Sequence, residues 1–504
     1  TIVKSGIGVV QFHNGSSIKD FSGQINVTQG TLATNGSDWN ISAGLMSMDI
    51  SSGASFDIRT GGIVINNLTG LGTIGSSHNG AVTLSVGNNH GSSTFGGVIR
   101  NGGGPPGGIS TGVPSLTKNG TGTFTLTGAN TYTGTTTVAA GTLQLANANA
   151  IQNSALVVNT GGATATLNLR ADTDTTFAAA SVAFNAWTAN TIVNVDQATA
   201  GNSNHILGFA ATSLTQNSGT FTVNGGNGYS LSLGNLTNGN GGNSNPTIIA
   251  NANVLINTYT DAGNRNLVLN GTATGSTLGA FTATGAGSAS LLSKQGTGTW
   301  TLTGTNTYTG STTVTAGTLR VNGSTHASSA VSVASGATLG GAGTIGGVVN
   351  VSGVLAPGAS IESLVTGSVT LNDLSTLAVE IQDATTVGAD LLAINGNLTL
   401  DGTVTLDLAK LGAAIWTAGD KLTLASYTGT WDGGLFTYNS NELSDGEQFS
   451  FDGTNWVLDY NDTIEGGNFT TDSTGTYLTM TVVPEPAAAL LGSLGLLALL
   501  RRRR

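Results

Sequence analysis

An all-β fold, a right-handed parallel β-helix (β-solenoid) finished by a less regular β C-terminal cap and a short C-terminal hydrophobic helix, is the class this sequence predicts. Three observations predict it. A 30-residue segment occurs twice: Leu116–Leu145 aligns without a gap on Leu292–Val321, at an offset of 176, with 22 of 30 positions identical. Inside each copy, apolar residues alternate with threonine at the period of a strand. The 504 residues also hold 77 glycines, only 8% charged residues and no cysteine. That composition suits many short strands joined by tight turns and stacked on one another.

Charge and cysteine usage set the exclusions. Outside the last four residues, 11 Lys and Arg face 26 Asp and Glu, a net of −15. Such a body is a poor partner for nucleic acid or an anionic membrane surface. Without cysteine there is no disulfide framework, thiolate metal site or cysteine nucleophile. The chain opens Thr1-Ile2-Val3-Lys4-Ser5-Gly6, which reads as the interior of a repeat. A precursor with an upstream export signal is therefore expected.

In chain order, the first element is a degenerate repeat over 4–32. Lys4-Ser5-Gly6-Ile7-Gly8 matches Lys118 to Gly122, and Phe21 to Leu32 matches Tyr132 to Leu143 after a short insertion. Each clear copy, 116–145 and 292–321, is expected to hold three short strands. In Thr123-Phe124-Thr125-Leu126-Thr127, Phe124 and Leu126 face one side and the threonines the other. Gly128-Ala129-Asn130 turns, Thr135 to Val138 is a β-branched run, and Ala140-Gly141 turns into Thr142 to Leu145. No such strand is stable alone, but stacked coils bury a continuous apolar column. Leu126, Val138 and Leu143 should point into it, as should Leu302, Val314 and Leu319. Thr and Asn on successive rungs should form outward ladders.

The pattern K-x-G-x-G-x-x-x-L-x-G-x-N-x-Y-x-G-x-T-x-V-x-x-G-T-L, carried by Lys118, Gly120, Gly122, Leu126, Gly128, Asn130, Tyr132, Gly134, Thr136, Val138 and Gly141 to Leu143, resembles the autotransporter-associated β-strand repeat, also called the passenger-associated transport repeat. The equivalents from Lys294 to Leu319 carry it a second time. Gly91–Ile99, Gly336–Gly341 and Leu355–Gly358 resemble the connecting sequences of that family. The resemblance implies a β-helical surface passenger over residues 1–380. Autotransporters end in a membrane β-barrel; here a different tail follows, and anchoring by a sorting enzyme is expected to replace self-translocation.

Residues 146–290 read as further coils with Gly/Asn/Ser loops. A β-rich cap is expected over 381–465, with alternating strands at Leu398–Leu400, Val404–Leu406 and Trp456–Leu458. A linker and a last strand follow over 466–483. The tail, 484–504, combines Pro484-Glu485-Pro486, an apolar run from Ala487 to Leu500, and Arg501, Arg502, Arg503 and Arg504. The prolines stiffen an extended segment, and the arginines suit the cytoplasmic edge of a bilayer. Fourteen apolar residues span roughly 21 Å as a helix, short of the ~30 Å hydrocarbon core. A transient sorting signal fits this length better than a permanent anchor. Motif, helix and basic cluster together resemble the PEP-CTERM signal of bacteria with an exosortase. The resemblance implies an exosortase-type processing enzyme as partner and transient membrane insertion.

Candidate chemistry is sparse. Gly70–Gly75 and Gly341–Gly346 both spell G-x-G-x-x-G, but a dinucleotide site needs a following helix, and Val348–Val351 reads as a strand. His13, His78, His90, His205 and His326 have no metal-ligand spacing. Asp172 and Asp174, near Arg170, are the closest acidic pair in the repeat region. Asp432, Glu442, Asp445, Glu447, Asp452, Asp459, Asp462 and Glu465 gather in turn-like sequence; a second reading gives Asp445, Glu447 and Asp452 to calcium. Trp300, Tyr132 and Tyr308 could stack on sugars, yet Trp300 stands where Phe124 stands in the sister copy, which argues for core packing.

No catalytic, cofactor-binding or metal-binding residue is therefore assigned and no cofactor is expected. The expected function is that of a non-enzymatic, exported, structural or adhesive protein displayed in an exopolysaccharide-rich bacterial envelope, with matrix glycans as partners and no nucleic acid. A carbohydrate-active β-helix enzyme (polysaccharide lyase or hydrolase) is the alternative, and a non-catalytic glycan-binding matrix protein the third reading.

Overall fold

The computed structural model describes residues 1–12, 21–34, 45–59, 61–103, 111–186, 188–216, 219–238, 245–284, 289–358, 361–382, 388–412, 415–468 and 475–484. Every regular element among them is a strand. No helix among the described residues is long and apolar enough to cross a membrane. The predicted C-terminal helix, Ala487 to Leu500, lies outside the described residues. Two compact units make up the chain, Thr1–Leu278 and Gly279 onward.

In the first unit the chain visits parallel sheets in turn, the arrangement of a β-solenoid. One sheet runs from Ile2–Lys4 through Gln24–Val27, Ser47–Ile50, Asn67–Gly70, Ser93–Phe95, Thr123–Leu126 and Gly141–Leu145. It continues through Ala165–Arg170, Thr191–Asp196, Phe221–Gly225, Thr247–Ala250 and Asn266–Gly271. A second parallel sheet includes Ala81–Val86, Val113–Lys118, Thr136–Val138, Ile151–Val158 and Ala179–Ala186. A third, short one runs Val9–Phe12, Thr31–Thr34, Ser55–Asp57, Thr73–Gly75, Val98–Ile99.

Register explains the core. Leu126 pairs with Leu145, Leu145 with Leu169 and Leu169 with Val195, so like side chains stack coil on coil. All four are fully buried, and each such burial stabilises by about 1.5–3 kcal/mol. Leu126, Val138 and Leu143, with Leu302, Val314 and Leu319, are inside as the alternation predicts. Trp300 and Phe124 are equally buried, so their shared place is a packing place. One expectation needs correcting: each repeat copy contributes four strands, because Val113–Lys118 and Leu291–Lys294 precede the three read from sequence.

The second unit also builds on parallel sheets. One runs Leu291–Lys294, Thr312–Val314, Val331–Val333, Val349–Val351, Val369–Leu371, Leu398–Leu400. Another runs Thr299–Leu302, Gly317–Val321, Ala337–Gly341, Val354–Pro357, Thr376–Gln382, Val404–Leu411. Pairing then turns antiparallel: Lys421–Tyr427 with Thr476–Val482, that strand with Thr454–Asp462, and that with Gln448–Phe451. Aromatic side chains fill this end. Trp431 stacks on Tyr460 at 4.6 Å and Trp416 meets Trp456 edge-on at 5.2 Å. Neither G-x-G-x-x-G turn opens a helix; each leads into another strand, Thr73–Gly75 and Thr344–Ile345.

Candidate functional site

The most distinctive chemistry lies inside the repeat, where the motif's Lys118, Asn130, Tyr132 and Thr136 each make a buried hydrogen bond. Lys118 is fully buried, and its Nζ donates to the carbonyls of Asn119, Gly120 and Ala140 at 2.5, 2.9 and 3.2 Å. Lys294 does the same with Gln295, Gly296 and Ala316 at 2.8, 2.8 and 2.9 Å. Lys4, in the degenerate copy, reaches Ser5, Gly6 and Gln29. Burial pushes both Lys118 and Lys294 down to about 8, and three carbonyl acceptors suit an ammonium. Both are still charged at neutral pH.

The carbonyls converge because the chain turns with glycine. Gly141 and Gly317 sit at φ 64°, and a Cβ on Gly141 would stand 2.2 Å from the Gly120 oxygen. Only glycine fits both the angle and the approach.

Asn130 and Tyr132 complete the latch. Asn130 is buried; its Oδ1 accepts from the Ile99 amide at 2.7 Å, and its Nδ2 donates to the Ala150 carbonyl at 2.7 Å. It thus ties its own coil to the coils on either side. Asn306 repeats this with Phe281 and Ser324 at 2.9 and 2.8 Å. The Tyr132 hydroxyl meets Thr136 Oγ1 at 2.5 Å, which meets Ser154 Oγ at 2.7 Å; Tyr308, Thr312 and Ser329 form the sister chain. Burial raises both tyrosines to about 12. Trp300, Tyr132 and Tyr308 are therefore structural, with no ring face available to a sugar.

The acidic candidates divide. Asp172 accepts from the Ala198 and Thr199 amides and the Thr199 hydroxyl, and these bonds hold its carboxyl below the usual range. Asp174 accepts from the Ile206 amide and pairs with His205 at 3.0 Å. Both cap loops of the next coil. Asp445 accepts from the Tyr460 amide, Glu447 from the Ser444 amide, and Asp452 pairs with Lys410. Each member of the calcium trio thus has a local partner, and among the described residues no group of three or more His, Asp or Glu is placed to hold a metal. His90 and His326 each accept one backbone amide through Nδ1; His13 lies outside the described residues.

Sequence reasoning missed one arrangement. In the second unit a recess of about 190 Å³ is lined by Arg320, Gly358, Glu380, Asp390 and Asp407 among others. Register makes it: Arg320 pairs with Gly340, Gly340 with Ala356, and Ala378 with Asp407, so small side chains separate a cation from an acid. Asp390 is buried, and its two oxygens accept from the Glu362 and Glu380 amides at 3.1 and 3.0 Å. Burial, then the nearby Glu380 and Glu362 charges, push its carboxyl up to about 7 against the pull of those amides. Asp390 comes from a segment whose spacing carries no acidic motif, so no sequence signal marked it. In the first unit a larger recess, about 500 Å³, is uncharged and floored by alanines such as Ala179 and Ala210, with Gln152, Ser181, Ser213 and Asn235 around it.

Of the sorting residues, Pro484 is described and exposed; Glu485, Pro486, Arg501, Arg502, Arg503 and Arg504 lie outside the described residues. Parallel coils latched from within by buried lysine, asparagine and tyrosine define a β-solenoid repeat protein. The family described as Passenger-associated-transport-repeat matches residues 116–145 and 292–321, the two segments that carry the complete latch. A comparison with curated proteins gives no match.

Proposed function

We propose that this is an exported structural or adhesive β-solenoid of a bacterial surface, sorted through its C-terminal tail by an exosortase-type enzyme. The single observation behind the reading is the doubled passenger-associated repeat with its internal latch. Such coils are latched by buried side-chain hydrogen bonds to the backbone, which salt screens little and which suit a surface exposed to changing salt. The uncharged recess near Ser181 and Asn235 offers amides and hydroxyls to a neutral matrix glycan. Pro484, Glu485 and Pro486 form the recognition segment, and Arg501–Arg504 hold the transient helix at the cytoplasmic face.

Mass spectrometry of cell-surface protein tests the sorting. Mature chains should lack Ala487–Arg504, and Pro484→Ala/Pro486→Ala should leave uncut precursor in the inner membrane. Mature surface protein that ends in the four arginines would refute it. Glycan-array binding by residues 1–480 tests the adhesive role.

A second reading, an enzyme acting on a polysaccharide, draws on the Asp390 recess, where a buried carboxyl raised to about 7 lines the same recess as two further carboxylates and an arginine. Activity on a polysaccharide panel that disappears in Asp390→Asn at unchanged fold would establish it.

A further inference from the structure

We propose that Lys421 and Asp462 join in an amide bond between Nζ and Cγ, a covalent staple across the last strand of the second unit. Register places them. Lys421–Tyr427 and Thr454–Asp462 lie on either side of Thr476–Val482, and both run antiparallel to it. Pairing slips between Asp459 and Asp462. Two carboxylates three residues apart, which a regular strand would turn to opposite faces, therefore gather about one partner. That partner is Thr479, which pairs with Asp459 and whose hydroxyl donates to Asp462 Oδ2 at 2.7 Å. The same oxygen is bonded to Lys421 Nζ, and the Ile464 amide donates to Oδ1 at 2.9 Å. The carboxyl group is thus fixed from three sides with an amine against it.

Burial and charge give the side chains different parts. Those of Lys421 and Asp462 are only 23% and 12% exposed, and away from water an ion pair passes more readily to neutral amine and acid. Burial, and then the Asp462 and Asp445 charges, push Asp459 up against the pull of the Asn461 amide and Lys421. Asp462 is held below the ordinary range: bonds from Lys421, Thr479 and Ile464 outweigh its burial. Two carboxyls pushed apart in this way divide the roles, Asp459 as proton donor and Asp462 as the group attacked. Lys421 hands one ammonium proton to Asp462, and the amine lone pair then attacks Cγ. As the C–N bond forms, the C–O bond to the hydroxyl breaks. Asp459 protonates that hydroxyl and recovers a proton from the nitrogen. One ammonium and one carboxylate become one amide and one water, with no oxidant and no net change in protons. A chain without cysteine gains by this route the covalent tie that a disulfide would give. Lys410 also pairs with an aspartate, but Asp452 is 42% exposed; water solvates it, and that pair should stay ionic.

Mass spectrometry of the purified chain tests the bond, wherever the protein is displayed. The natural chain should be one water lighter than its sequence, resist trypsin after Lys421 but not after Lys410, and yield a branched peptide joining Lys421 to Asp462. Lys421→Arg keeps a cation but offers no amine. It should show the full mass, be cut after residue 421 and melt at a lower temperature, because its unfolded state is no longer cross-linked. Asp459→Asn should keep the ion pair yet accumulate unlinked chain that closes slowly. A natural chain at full sequence mass and cut after Lys421 would overturn the proposal, as would a water loss mapped to another site. Closure at an unchanged rate in Asp459→Asn would remove Asp459 from the mechanism.

Discussion

In the copy at 116–145 a buried lysine, asparagine and tyrosine latch the coil from within, whereas across 144–251 an outward ladder of side-chain amides runs from coil to coil beside amides that bond the backbone. Gln144, Asn168, Asn194, Asn224 and Asn251 form one outward ladder, each rung bonded to the next at 3.4, 2.9, 3.1 and 3.0 Å. Both stretches keep the same inward apolar column and the same parallel register. The solenoid therefore does not need the repeat motif. The motif sits where turns bring buried carbonyls together, and there a buried ammonium and a buried carboxamide donate to them.

The largest effect should come from the shared column. Leu126→Asp places a charge between rungs and should cost more than about 4 kcal/mol in thermal or denaturant unfolding, while Thr125→Asp, one residue outward, should stay within about 0.5 kcal/mol. Equal tolerance would break the common basis of the comparison. Next, Gly141→Ala combines a left-handed φ with a 2.2 Å clash and should cost about 3 kcal/mol. Latch residues follow: Lys118→Met or Asn130→Ala leaves buried carbonyls or amides unpaired, at about 2 kcal/mol each. Ladder residues come last. Asn194→Ala, half-exposed, should cost about 0.5–1 kcal/mol. A ladder loss as large as a latch loss would erase the distinction between the two stretches.

pH sharpens the contrast further. Asp390, at about 7 in the fold against an ordinary 3.8, binds its proton more tightly folded than unfolded. Its contribution is therefore present at acid pH and declines as pH rises from about 4 to about 7. Lys118, at about 8 against 10.5, binds its proton more weakly folded. Lys294, also at about 8, does the same in the second unit, so both units should gain stability as pH rises from about 8 to about 10.5. Melts resolved by hydrogen exchange should show that alkaline rise in both units and the acid-side decline in the second, and Asp390→Asn should flatten only the decline.

Much was legible in the sequence because it depends on local period. Phe124, Leu126 and Val138 announce their inward side by alternation, and 22 identical positions announce the second copy. The additional strand at Val113–Lys118 was not legible: Pro114 and Ser115 interrupt the apolar pattern, and only pairing with Ala81–Val86 fixes them as strand. Lys118 was visible as a motif letter, but its role depends on Ala140, which lies on the turn entering the strand that stacks next.

By itself, then, the sequence determined the class, the inward faces and the repeat, since alternation and identity are properties of neighbours along the chain. Tertiary structure alone decided the carbonyl cage around Lys118 and the buried Asp390 between Glu362 and Glu380. Each depends on which coil lies above or below, and stacking joins residues tens of positions apart that share no local pattern.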